Sequence, residues 1–476
     1  MLKHLTCFLL CLNALFIMSA CSHHSDLQTF NEYYYSGQDI KAYEYAKSKT
    51  GKNGDVLWNL QAGMSGFSTQ TKENLMLLEQ GEMLFSKYEA EGLMGGIFGN
   101  IGAMLVNENV KNYRGNIYEG VMFNYYKALN AMAQGNYGKA RVEFNRANDR
   151  QRRAKDYFRK DIQKALEEEN KQNAQNSTLR QIDTHNSSRA ISPILEQQYS
   201  NLKAFQAYEG FINPAVSYVS ALFFMSEGDY AKAMDLYKES YGITKAKVID
   251  EDLKVLQRRK SGRIKQTYTW LIIEDGRSAM KYDTSLNLPS FYVSSEILHI
   301  GVSIPTLVEG KATSSNYQAQ SYNGETFQAY EISDMDKVIA NEFQKQLPFI
   351  LTRAITSAIL KATTQAALSD QLGTLGALAG AIYSAGTTNA DIRISTALPK
   401  RILAMQIPND IGNFTLKADS RPLFHIHFEC IENNNSPQNE SKSKTNLIYL
   451  CHKNDNILYL RHKSVNPFYR ILKGGT

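Results

Sequence analysis

The side chains best suited to chemistry cluster near the C-terminus, where Cys430 and Cys451 lie 21 residues apart and His425 and His427 alternate. The two cysteines flank a polar loop between strand-like runs. In an oxidising compartment an even pair reads as a disulfide, with two free thiols or a metal pair as the alternatives. Side chains at i and i+2 share one face of a strand, so His425 and His427 could hold a metal; His452 and His462 fall on neighbouring candidate strands. No carboxylate stands at ligand spacing, however, and no His-Glu-x-x-His motif occurs, so surface histidines are the preferred reading and no metal is expected. Asp391-Ile392-Arg393 could be an acid–base pair, but an ion pair organising the turn before Leu398-Pro399 is the simpler assignment. The chain has no Gly-x-Ser-x-Gly elbow, no Walker loop and no dinucleotide fingerprint. The sequence therefore predicts neither an enzyme nor a cofactor.

A third kind of chemistry lies at the other end. Lys3 and His4 precede an apolar run from Leu5 to Met18, then Ser19, Ala20, Cys21 and Ser22. Small residues before a cysteine, after a short basic and then apolar stretch, form a lipoprotein signal. Cleavage is expected between Ala20 and Cys21, with a diacylglycerol on the Cys21 thiol and a further acyl chain on its amine. The apolar run is too short for a stable span, which needs about 20 residues. Two or three acyl chains hold a protein on a membrane stably, at about 0.8 kcal/mol per buried methylene. Ser22, rather than Asp, at the next position favours sorting to the outer membrane, with the protein facing the periplasm.

The elements that position these residues divide the chain into two materials. Of five cysteines, Cys7 and Cys11 leave with the leader, so only Cys430 and Cys451 can pair. The formal charge of +6 over 476 residues is too mild to argue for nucleic acid. The 28 tyrosines stand out more, because an apolar body with a polar tip suits partner surfaces.

In the first half, Ala128, Gly135, Tyr137, Ala140, Phe144 and Ala147 share their spacing with Ala221, Gly228, Tyr230, Ala233, Tyr237 and Ser240. This is the pattern of a tetratricopeptide repeat, a helix-turn-helix unit of about 34 residues. Gly37, Ala42 and Ala46 fit part of another unit, and Asp55 to Glu89 a further helix pair with Trp58, Ala62 and Leu78. Tyr125, Tyr126 and Tyr218 are candidate partner-binding positions on this array. Arg150, Arg152, Arg153, Lys155, Arg159, Lys160 and Lys164 read as a solvated helix face paired with Glu167 to Glu169, ahead of an anionic-ligand patch. A polar insertion occupies about 167–190. Gly92 to Val106 is apolar and glycine-rich, and reads as a buried loop or short helix.

The second half begins after a basic stretch, 251–265, read as a linker. Strands are predicted at Thr267–Ile273, Leu298–Ile304, Gln318–Ile332, Arg401–Ile407, Leu423–Cys430, Asn446–Cys451 and Asn456–His462. Between them lies a helical stretch, Met335–Ser369, that Pro348 should kink or divide. Leu372–Ala390 is charge-free and rich in Gly and Ala, and close helix packing is preferred to membrane insertion. The fold class expected is α+β: a tetratricopeptide-like α-solenoid over 21–250, then a mixed β-rich domain over 266–476 with an inserted helical stretch. Asn434 sits in an acidic-extended glycosylation sequon, for which a chance match in an asparagine-rich loop is favoured.

Further residues carry a resemblance. Val106-Asn107-Glu108-Asn109, Tyr113, Gly115, Tyr118-Glu119, Asn124-Tyr125, Ala128-Leu129, Ala140 to Glu143 and Arg146-Ala147 form its centre. Glu274-Asp275-Gly276, Arg353, and Ala390 to Arg393 before Leu398-Pro399 continue it. The chain resembles the tetratricopeptide-containing lipoproteins of Gram-negative envelopes. The resemblance implies an envelope component, with relatives found near lipoprotein activators of cell-wall synthases, and supplies no catalytic residues. The function expected is a lipid-anchored, non-enzymatic scaffold that binds other envelope proteins through its repeats, with neither nucleic acid nor a small-molecule substrate as partner. The alternatives are an envelope hydrolase, or an accessory subunit of a cell-wall-synthesis, secretion or motility complex.

Overall fold

The computed structural model describes residues 25–51, 55–91, 113–157, 193–263, 266–289, 299–358, 389–430 and 446–475, with isolated positions at 159–171 and 361. Ala20 and Cys21, Gly92–Val106, most of the 167–190 insertion, 372–388 and Asn434 lie outside the described residues.

The helical half comes first. Helix α1 spans 25–35, and α2 (Asp39–Lys49), α3 (Val56–Thr69), α4 (Asn74–Glu91), α5 (Ile117–Ala133) and α6 (Tyr137–Tyr157) follow. After the insertion come α7 (Pro214–Ser226), α8 (Tyr230–Thr244) and α9 (Lys247–Lys260). Both copies of the repeated spacing are helical hairpins, α5–α6 and α7–α8. Gly135 and Gly228 end the first helix of each at φ +71° and +80°, where a Cβ is disfavoured. The same two bonds close each turn: Gly135 N donates to Met132 O and Asn136 N to Ala131 O, as Gly228 N does to Met225 O and Asp229 N to Phe224 O. The small residues Ala140, Ala147, Ala233 and Ser240 are fully buried, so the paired helices approach closely. Phe144 meets Phe223 at 5.1 Å between ring centroids, and Asn148 donates to Ser220 at 2.9 Å, which stacks one hairpin on the next.

The second half is built on two five-stranded sheets and a ribbon. The first sheet holds β1 (Tyr268–Asp275), β6 (Tyr330–Asp334), β7 (Arg401–Pro408), β11 (Asn456–His462) and β12 (Phe468–Lys473), in the order β12-β11-β1-β7-β6. The second holds β4 (Tyr317–Ser321), β5 (Thr326–Gln328), β8 (Phe414–Ala418), β9 (Arg421–Phe428) and β10 (Leu447–Leu450), in the order β10-β9-β8-β4-β5. β1 pairs with β11, and β9 with β10, in parallel; the other pairings are antiparallel. The ribbon pairs β2 (Met280–Pro289) with β3 (His299–Val308). Helix α10, 335–358, links the sheets' strands and runs on through Pro348 instead of breaking there. β2, β8 and β12 were not foreseen.

The first sheet is the middle layer. Alternate residues of β1 point opposite ways: Leu271 and Ile273 join a core with Phe414, Leu416 and Ile426 of the second sheet. Trp270 and Ile272 join a core that is continuous with the helices, including Phe67, Tyr126 and Tyr218. Every residue of β1 is therefore buried, which explains its unbroken apolar run.

This packing corrects two expectations. The stretch 251–265 is not a basic linker: through Lys260 it is α9, with Val255, Leu256 and Asp252 buried. Its basic residues lie in the last turn, where they favour the helix dipole. Nor is Arg150 part of a solvated face. It is buried, stacks on Phe85, donates to Gly120 O at 2.9 Å, Ser86 Oγ at 3.0 Å and Asn124 Oδ1, and pairs with Glu82 and Glu89.

Cys430 and Cys451 are joined in a disulfide that ties β9 to the end of β10. Closing a loop of 21 residues stabilises by about 3 kcal/mol through the unfolded chain's lost entropy. A Cys430→Ser, Cys451→Ser variant should thus unfold at a denaturant midpoint lower by that free energy. An unchanged midpoint would show that the bond carries no stability.

Candidate functional site

A solenoid offers partners the inner helices of its hairpins. In this chain the first helices of the successive hairpins, α3, α5 and α7, are buried from end to end: Val56–Ser68, Ile117–Met132 and Pro214–Met225. The array's inner face is already covered by the first sheet, α10 and the segment 394–398 of the same chain. Tyr125, Tyr126 and Tyr218 are consequently not surface positions. All three are buried, because tyrosine's long apolar ring lets it cross a core and end on a polar group beyond.

The polar groups at this seam are mostly carboxylates. Tyr126 from α5 and Tyr459 from β11 each donate to Glu274 Oε2 at 2.7 Å. Arg461, also buried, sets Nε 3.8 Å from the same oxygen, Nη1 3.2 Å from Glu274 O and Nη2 3.1 Å from Ala397 O. Burial pushes the Glu274 carboxyl up, against the Arg461 charge and the tyrosine hydroxyls that hold it down. Tyr125 ends beside this carboxylate with no hydrogen-bond partner for its hydroxyl, and burial raises it well above its ordinary range.

A second junction centres on Asp252 of α9, which accepts from Tyr218 Oη at 2.7 Å, Trp270 Nε1 at 2.7 Å and Gln406 Nε2 at 2.6 Å. Burial pushes it up to about 7 despite these three donors. A third lies at the N-terminus of α5. Glu342 from α10 accepts from Ile117 N at 2.8 Å and Tyr118 N at 3.2 Å, filling two donors that a helix leaves open. Burial pushes Glu342 up to about 7 as well. Glu119, in a capping box with Asn116, accepts from Ser395 N at 2.7 Å, and Gln61 Oε1 accepts from Thr396 N at 3.1 Å. Lys463 reaches Tyr34 O at 2.6 Å and Asp39. Every hairpin is thus bonded to the second half.

Another buried cluster joins the two sheets. Tyr317 Oη donates to Asp275 Oδ1 at 2.8 Å and lies 2.7 Å from His462 Nδ1, which must then carry its proton and donate in turn. Asp275 also accepts from Thr313 N at 2.9 Å and Arg401 Nε at 3.0 Å. Burial lowers His462, keeping the imidazole neutral, and raises Tyr317. An Asp–Tyr–His chain of this kind can relay a proton, but its members are spent on one another and are buried.

His425 Nδ1 lies 3.0 Å from Thr415 Oγ1, and His427 lies 3.3 Å from Asn413 Nδ2 and 3.4 Å from Tyr322 Oη. Among the described residues no three His, Cys, Asp or Glu side chains are grouped for a metal. His452 sits beside Cys430 Sγ at 3.6 Å. Asp391 and Arg393 form a bidentate pair at 2.8 and 2.9 Å with Arg393 stacked on Tyr113, and the Arg393 charge helps hold the half-buried Asp391 carboxyl below its usual range.

Sequence reasoning missed the seam carboxylates, ending the strand at Ile273, one residue before Glu274, and placing Asp252 in a linker. One signal was available: Asn116 and Glu119 before an apolar run spell a capping box. Among family models, curated proteins and solved structures, none matches this chain. Among the described residues, no helix is long and apolar enough to cross a membrane.

Proposed function

We propose that the protein is a lipid-anchored, non-enzymatic scaffold of a Gram-negative outer membrane, facing the periplasm, whose tetratricopeptide-like array works as a rigid body fused to its own second half. With the inner face occupied, other envelope proteins dock on the outer helices. Met76 and Met83 of α4 and Val142 of α6 are exposed there beside the Glu79–Lys139 ion pair. Methionine at an exposed surface adapts to varied partners.

The single observation that carries the reading is the cysteine arithmetic. Cys430 and Cys451 are bonded to each other, which fits an oxidising compartment, so Cys21 is the one thiol left after the leader, placed directly behind Ser19-Ala20. Metabolic labelling with an alkyne fatty acid tests it. The full chain should take up label and sediment with membranes, and Cys21→Ser should lose the label and leave the membrane fraction. Equal labelling of both proteins would remove the anchor, and with it this assignment.

A further inference from the structure

Among the described residues, the second sheet is packed on one face only. Ala319, Leu416, Ile426 and Ile448 point into the core, so by alternation the opposite face of β5, β4, β8, β9 and β10 meets solvent. Pairing aligns its residues in rows across the strands. In one row His427 of β9 lies between two exposed tyrosines, with ring centroids 6.1 Å from Tyr322 and 6.2 Å from Tyr449. The next row places Gln320 opposite Thr415, which is opposite His425. A third sets Gln328, Gln318 and Lys417 side by side, with Lys417 Nζ donating to Gln320 across the rows. Within the bounds of these five strands no described outward position is Asp or Glu, and Glu429, one residue beyond β9, continues the alternation of His425 and His427 at the far end of the face from Lys417.

We propose that this face binds a polysaccharide bearing carboxylate groups. Tyr322, at the end of β4, and Tyr449 of β10 stand three strand spacings apart, roughly 14 Å between backbones, with each ring about 6 Å from the His427 ring between them, so two pyranose rings of one chain can stack their C–H faces on them at once. The glutamine amides supply both donors and acceptors, which is what sugar hydroxyls require. Lys417, bonded to the Gln320 amide and not to a carboxylate, selects an acidic chain over a neutral one. A protein interface centres on a desolvated apolar core, and here amides and hydroxyls hold that place. This goes beyond the scaffold reading and stands without it, since it uses neither the anchor nor the helices.

The test is affinity electrophoresis of the full chain, purified in a neutral detergent, through gels containing alginate or dextran. Alginate should retard the wild type, and dextran should retard it about tenfold less at equal concentration. The Tyr322→Ala, Tyr449→Ala variant should need about tenfold more alginate for the same retardation, and Lys417→Gln a few-fold more. Both tyrosines are exposed, so the variant is not expected to lose its fold, and an unaltered melting temperature checks this. Tyr282→Ala, which removes an exposed tyrosine from the β2–β3 ribbon, should behave as wild type. The proposal fails if alginate causes no retardation, if dextran matches it, or if the double tyrosine variant runs as the wild type does.

Discussion

Glu274→Gln is expected to destabilise the protein by about 3–5 kcal/mol, the cost of leaving one buried charge without its partner. The substitution keeps the shape and lets Tyr126 and Tyr459 find an oxygen at 274, so no cavity enters the result. What it removes is the anion beside Arg461. A guanidinium cannot shed its proton to escape, and Arg461 is buried, with Nη1 on the Glu274 carbonyl and Nη2 on the Ala397 carbonyl. Because Glu274 joins a strand to α5, the loss falls on the seam between the halves. Urea unfolding of the full chain in neutral detergent measures it. Adding Arg461→Met should recover much of the deficit, since a pair of buried charges replaced together costs far less than one orphaned. A single variant within about 0.5 kcal/mol of wild type would show that this pair does not hold the seam.

That seam also marks where the sequence stops being legible. The hairpins were readable because their signals are local: a glycine that must sit at positive φ, and small residues two helical turns apart on a packed face. Strands such as β1 and β11 announce themselves by unbroken apolar runs. β8, with Lys417 facing solvent, and β12, half-buried at an edge, lack that contrast. β2 reads as polar because its partner is a single strand and not a sheet. What no local pattern encodes is which tyrosines face out. Tyr125, Tyr126 and Tyr218 look like partner-binding residues because they are aromatic residues on the inner helices of a repeat. Tyr126 and Tyr218 do bind a partner, Glu274 and Asp252 from elsewhere in the chain, and Tyr125 ends beside Glu274. A contact between residues 126 and 274 is invisible without the fold, and so is the reason an acid ends an apolar strand.

Stability should fall as pH rises from about 5 to about 7 and then level off, the reverse of what most surface ion pairs produce. Asp252 and Glu342 are fully buried, and burial pushes each up to about 7, well above the range of a carboxyl in an unfolded chain. Below about pH 4 both states hold these protons. Between there and about 7 the folded state keeps them and the unfolded state does not, so folding binds protons and loses free energy with each rise in pH. At about 1.4 kcal/mol per unit and group, the pair together costs roughly 5 kcal/mol between pH 5 and pH 7, and nothing further above. The hydroxyl of Tyr218 can accept as well as donate, so it accommodates a protonated Asp252 without losing the contact. Asp252→Asn with Glu342→Gln makes both sites permanently uncharged. This variant should flatten the slope in that window and exceed wild type at pH 8, despite replacing one accepting oxygen at each site with an amide donor. If the double variant retains the wild-type slope, these carboxyls are ionised throughout, held so by the indole, phenol, amide and backbone donors that surround them.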